Sequence, residues 1–211
     1  SNGLLAARLA KKGFTSRMDA IECAQGFAAT QADGFRALPV SLAHNQKLAV
    51  EENLFKYHAS CYLTHAGIEA VKSLRDEHDV KVQQIKSVQQ FVPKTHFSVC
   101  NIAEPTTGLE TKFSMRHTAA MALAHVDTGS LGSYDDTMAN REDLVALRHK
   151  IEIIDKKFGS RMQSEVVINL NDGRSLEKFA DAGVPMGDLC LQAQKLSCLL
   201  YTSPSPRDVE E

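Results

Sequence analysis

A mixed α+β fold is predicted, on three observations. Helix-type patterns open and close the chain, at Leu4 to Lys12 and at Asp188 to Leu199. Between them lie strand-type runs at Val80–Val92, Ile151–Ile154 and Val166–Leu170, rich in residues that suit a pleated surface. Helix and strand signals do not alternate regularly, as a βαβ sheet would require, and no repeat of fixed period is visible.

In chain order, Leu4 to Lys12 reads as a helix stopped by Gly13, with Lys11 and Lys12 favourably placed at its negative end. Thr15 or Ser16 is expected to cap a second short helix through Met18, Ile21 and Ala24, ended by Gly26. Residues 28–45 read as irregular. Ile68, Val71 and Leu74 form one apolar stripe of a helix over Thr64–Glu77, with Thr64 as its N-cap. Val80 to Val92 predicts one or two strands, His96 to Cys100 a short strand, and Asn101 to Gly108 a loop. A helix over about Leu109–Val126 should bury Phe113, Ala120, Met121 and Ala124, leave Lys112 and Arg116 in solvent, and end at Asp127-Thr128-Gly129. Asn140 to Asp143 can cap a helix carrying Leu144, Leu147 and Ile151. Asp172-Gly173 after Leu170 signals a hairpin, because such a turn requires positive φ.

The bulk composition is that of a globular chain. It has 211 residues, 43% hydrophobic and 24% charged, with a formal net charge of −2. Basic residues are spread evenly, which leaves no electrostatic footprint for nucleic acid. Apolar runs such as Met121 to Ala124 are too short to span a membrane. Five scattered cysteines without a CxxC pair favour reduced thiols, hence a cytoplasmic location. No signal peptide is recognised. The first residue is not methionine, and Leu200 to Asp208 breaks sharply from what precedes it. An incomplete chain is therefore expected, with residues 200–211 an artefactual read-through or a disordered Pro/Ser-rich tail.

Lys56 to His65 is the chemically densest stretch, with one lysine, two histidines, a cysteine, two tyrosines and two hydroxyls in ten positions. No hydrophobic period accounts for it, whereas a reactive pocket needs such groups. Lys56 can hold a substrate carboxylate or move a proton; its bland alternative is an exposed lysine lying along the surface. His58, Cys61 and His65 invite a zinc reading, but a closed site needs a fourth ligand, and no metal is assigned. A Cys61 nucleophile would need His58 or His65 as its base. His65 otherwise sits in the first helical turn and bonds to backbone.

Four segments in order resemble the MmgE/PrpD family, which contains 2-methylcitrate dehydratases and cis-aconitate decarboxylases. Ser1-Asn2-Gly3-Leu4-Leu5-Ala6-Ala7 through Lys12-Gly13-Phe14-Thr15 resembles its Gly-rich helix. Ile21-Glu22-Cys23-Ala24-Gln25-Gly26-Phe27 resembles a second segment, with Cys23 in place of a glycine. Phe55-Lys56-Tyr57 through Thr64-His65-Ala66 resembles its lysine-to-histidine block, and Asn101 to Ser114 its Pro-x-Thr block.

The resemblance implies the end of an all-helical domain at residues 1–53, an α+β lid domain at 54–182, and a helix at 183–199 returning to the helical domain. It implies a metal-independent lyase without cofactor that dehydrates or decarboxylates a small tricarboxylate, as a homodimer when complete. Lys56 takes the position of the family's catalytic lid lysine, with Cys61, His58 and His65 as substrate-binding neighbours. Cys61 falls where some members place a histidine, and members commonly have proline near Ala59. The family's aspartate, histidine and second lysine of the helical half would lie upstream of Ser1. The alternative is a non-catalytic α+β module or inactive relative with structural histidines.

Overall fold

The computed structural model describes residues 2–31, 33–34 and 49–202. The chain divides into two compact units, Ser1–Lys47 and Leu48–Glu211. Residues 32 and 35–45 of the expected irregular segment, and the tail beyond 202, lie outside the described residues, and residues 28–31 of that segment are helical rather than irregular.

In the first unit, α1 (Asn2–Lys11) ends where expected. The Gly13 N–H bonds the Ala10 carbonyl and the Phe14 N–H that of Leu9, which satisfies carbonyls left open by the last turn. The expected helix through Met18 and Ile21 does not form. Residues 18–26 are turns, and the chain folds back so that the Phe27 N–H bonds Ala20 and the Ala28 N–H bonds Ile21. Gly26 precedes a short α2 (Phe27–Gln31) rather than ending a helix. Met18 stays 99% exposed, so the apolar stripe has no surface to pack on. Short helices depend on such packing.

The second unit carries the α+β fold. Its four-stranded sheet has the order β2-β1-β3-β4, formed by β1 (Ile85–Val92), β2 (Ile151–Asp155), β3 (Gln163–Leu170) and β4 (Ser175–Asp181). β1 pairs parallel with β2 and antiparallel with β3, and β4 is antiparallel to β3. Burial alternates along β1 and β3, with Val88 opposite Ile168 and Gln90 opposite Val166 on the buried face. Against that face pack α3 (His65–Glu77) and α5 (Met115–Leu123). Ile68, Val71, Leu74, Met121 and Leu123 meet Val88, Val166 and Ile168 in one core. Burying each such side chain contributes about 1.5–3 kcal/mol. At Gly67 a Cβ would come 2.0 Å from Gln90 Nε2, so any larger residue there would displace the end of the Gln90 side chain that packs against α3.

The crossover between the parallel strands holds α4 (Gly108–Thr111), α5, α6 (Asp136–Ala139) and α7 (Glu142–Arg148). Here the structure corrects the sequence reading. The expected helix over 109–126 is two helices, because Thr107 and Glu110 cap each other around α4, and the Ser114 hydroxyl accepts from the His117 N–H to start α5. Phe113 falls in the break and is 36% exposed instead of buried. Arg116 is partly buried and donates to Asn101 Oδ1 at 2.7 Å rather than standing in solvent. His96 to Cys100 is not a strand: residues Lys94–Ser98 form a 3₁₀ turn, with the His96 ring held by the Arg161 carbonyl. Ile151 belongs to β2, not to the preceding helix, whose N-cap position is Arg141 with no side-chain cap.

The hairpin forms as expected. Gly173 takes φ +92°, the Gly173 N–H bonds the Leu170 carbonyl, and the Leu170 N–H bonds that of Arg174. The last helix, α8 (Leu189–Thr202), runs three residues beyond the expected end at Leu199. Asp188 caps it, accepting from the Cys190 and Leu191 N–H groups.

Candidate functional site

The chemically dense segment runs into α3 and is tied down by backbone. The Ala59 N–H bonds the Thr128 carbonyl, and the Cys61 N–H bonds that of Lys112. Thr64 occupies the N-cap position of α3, but its hydroxyl makes no cap bond; it donates to the Cys61 carbonyl at 2.8 Å and meets Ser60 Oγ at 2.8 Å. The segment so held borders two separate spaces.

On one side is a groove of about 670 Å³ lined by Lys56, Ser60, Cys61, Lys112 and Phe113 among others, with no carboxylate among the described residues that line it. Lys56 is exposed, and the Lys112 ammonium lies 5.7 Å from the centre of the Tyr134 ring. Cys61 neighbours Cys100, whose thiol is pushed up to about 12 by burial and by the adjoining Cys61. On the other side is a cavity of about 220 Å³, lined by His65, Tyr57, Tyr62, Glu69 and Lys195 with apolar neighbours including Val184 and Met186. Tyr62 stacks on His65 at 4.7 Å, and its hydroxyl donates to the Ala182 carbonyl.

His58 is the wall between the two and lines both. Its ring is 3% exposed, with Nε2 2.9 Å from Glu69 Oε1 and Nδ1 2.8 Å from Thr128 Oγ1. Burial lowers its pKa, against the opposing pull of Glu69, and keeps the imidazole neutral. A neutral ring with both nitrogens engaged has one arrangement here: Nε2–H donates to Glu69, and the Thr128 hydroxyl donates to Nδ1. Burial would raise the Glu69 carboxyl, but the bonds from His58 and from Lys195, at 3.0 Å, outweigh it and hold it ionised. His65 lies edge-on to His58 at 4.8 Å and is pushed down to about 3, by burial first and then by His58 and Lys56.

The four residues singled out from the sequence therefore divide. Lys56 and Cys61 share the groove, His65 lines the cavity, and His58 spans both. With both ring nitrogens committed, His58 is not free to serve Cys61 as a base. Among the described residues no group of three or more His, Cys, Asp or Glu is arranged to hold a metal ion, and no helix is long and apolar enough to cross a membrane. Glu69, Thr128 and Lys195 were not foreseen as parts of the site. Glu69 and Lys195 look like ordinary solvated positions on amphipathic helices, and Thr128 sits in a turn signal; nothing local marks them. Lys112 was seen, but as a solvated residue.

No curated protein sequence matches the chain significantly. Residues 58–189, well over half of the chain, match the family model for the MmgE/PrpD C-terminal domain. That span takes in Cys61, Lys112 and the entire sheet, and on this match the chain belongs to the MmgE/PrpD family.

Proposed function

We propose that this chain carries the lid side of a lyase site that removes water or carbon dioxide from a small tricarboxylate such as 2-methylcitrate or cis-aconitate. One observation carries the reading: Lys56 and Lys112 line a single groove that has no carboxylate among its described lining residues. Two ammonium groups that share a groove attract and orient a polyanion. In either reaction negative charge develops next to a carboxylate-bearing carbon, and Lys56 is the group assigned to stabilise it. Lys112 holds a second substrate carboxylate, and Ser60 and Cys61 lie beside the bound molecule. The main acid–base residue, by family resemblance, belongs to the helical half, and the working protein is a homodimer.

Two measurements test this. Citrate should bind the chain with micromolar to millimolar affinity by calorimetry, weakening about tenfold or more in Lys112→Ala and further at high salt. In the intact protein, Lys56→Ala should lower kcat/KM at least about a hundredfold with an unchanged melting temperature. Full activity in Lys56→Ala would overturn the assignment, and anion binding without any turnover in the intact protein would favour an inactive relative.

A further inference from the structure

The second cavity has the opposite chemistry to the groove. Among the described residues its charged lining groups are Glu69, Asp181 and Lys195, a net of one negative charge, so a polycarboxylate is disfavoured there. Its volume of about 220 Å³ suits a single ring with a short substituent, since an apolar cavity of about 150 Å³ holds benzene. Tyr57 and Tyr62 supply aromatic faces, and Val184, Pro185 and Met186 supply apolar ones. The bonds from His58 and Lys195 both fall on Glu69 Oε1. His65, also in the lining, lies against Tyr62 and His58 with its Nε2 atom buried. The open valence of this wall is the second oxygen of Glu69, an acceptor, and it calls for a ligand that donates.

The chain itself shows which donor fits. The Lys195 ammonium, on α8, stands 3.0 Å from Glu69 and 5.2 Å from the centre of the Tyr57 ring. A carboxylate and an aromatic face around one cation form the pattern by which proteins recognise organic ammonium groups. We propose that this cavity is a binding site for a small aryl-alkyl amine, with the ammonium on Glu69, the ring among Tyr57, Tyr62 and Met186, and Lys195 as the internal group that competes for the same carboxylate. The site is separate from the tricarboxylate groove and does not depend on its assignment.

The test uses benzylamine, benzyl alcohol and benzoate, titrated into the chain by NMR with the Tyr57 and Tyr62 ring signals as the readout. Benzylamine is expected to saturate, to bind about tenfold tighter than benzyl alcohol, and to be indifferent to benzoate. Lys195→Met should tighten benzylamine about tenfold by freeing Glu69, with no gain for benzyl alcohol. Val184→Trp, at a position 64% exposed and therefore tolerant, should fill the mouth and abolish binding. The proposal is overturned by any of three results: no saturable benzylamine binding to the wild-type chain, benzoate binding as tightly as the amine, or Lys195→Met leaving amine affinity unchanged.

Discussion

At the scale of single residues, His58 shows how a side chain suited to chemistry can be committed to architecture. Its two ring nitrogens tie α3, through Glu69, to the turn at Thr128 after α5. Replacing the Thr128 hydroxyl by a methyl group leaves Nδ1 buried and unpaired. Thr128→Val should therefore destabilise the chain by about 1–3 kcal/mol in urea unfolding, and an effect below a few tenths would show that the bond contributes nothing. Lys56 and Cys61 were legible in the sequence because an unpatterned reactive cluster stands out from hydrophobic periodicity. Their separation from His65, which lines the other cavity, was not legible, because the bonds from Ala59 to Thr128 and from Cys61 to Lys112 join segments about fifty or more positions apart.

At the scale of elements, the stops of α1 before Gly13 and of α3 at Glu77 were read from the sequence, whereas Gly26 ends no helix and the end of α5 at Leu123 was missed. α3 and α5 end on Asp79 (φ +48°) and His125 (φ +57°). In each, the following N–H reaches back to the last turn, Val80 to Arg75 and Val126 to Met121, the same closure that Gly13 makes after α1. The Arg75 guanidinium then covers the Ala122 carbonyl at the end of α5. A side chain at positive φ costs roughly 1 kcal/mol. His125 is exposed, so His125→Gly should raise stability by about 0.5–1 kcal/mol, or about 1–4 °C in melting temperature; a lower melting temperature would mean that the imidazole contributes more than its strain costs. The split of the 109–126 helix was present in the sequence as Thr107-x-x-Glu110 and Ser114. Strong helix propensity on both sides of Phe113 hid it.

At the scale of the whole molecule, buried histidines couple folding to acidity. Burial, aided by His58 and Lys56, pushes His65 down to about 3, and burial with Arg148 and Arg141 pushes His117 down to about 4. Both folded-state values lie below the ordinary 6.5, so below that pH the unfolded chain binds more protons. Stability from these groups is complete above pH 6.5 and falls as pH drops towards 4, by about 1.4 kcal/mol per pH unit for each histidine. Glu69, drawn below its usual range, adds a further loss at more acid pH. Urea midpoints measured from neutral pH down to about pH 5 should fall steadily. A flat profile would mean that these rings accept protons in the folded state, and His117→Phe should make the profile shallower.

The sequence by itself determined the α+β class, the hairpin at Asp172-Gly173, the inward face of α3 and the cluster from Lys56 to His65. Each of these rests on local pattern: apolar period, a turn residue at positive φ, or a composition that no period explains. Tertiary structure alone decided the strand order, the parallel pairing of β1 with β2, and the pairing of Glu69 and Lys195, 126 positions apart, beside His58. It also decided that Lys56 and Lys112 line one side of His58, and Glu69, Asp181 and Lys195 the other. The physical reason is that a charge or hydroxyl on a solvated helix face carries no local mark of its partner; only the packing of α3 against the sheet, with α8 and the Thr128 turn brought alongside, gives it one.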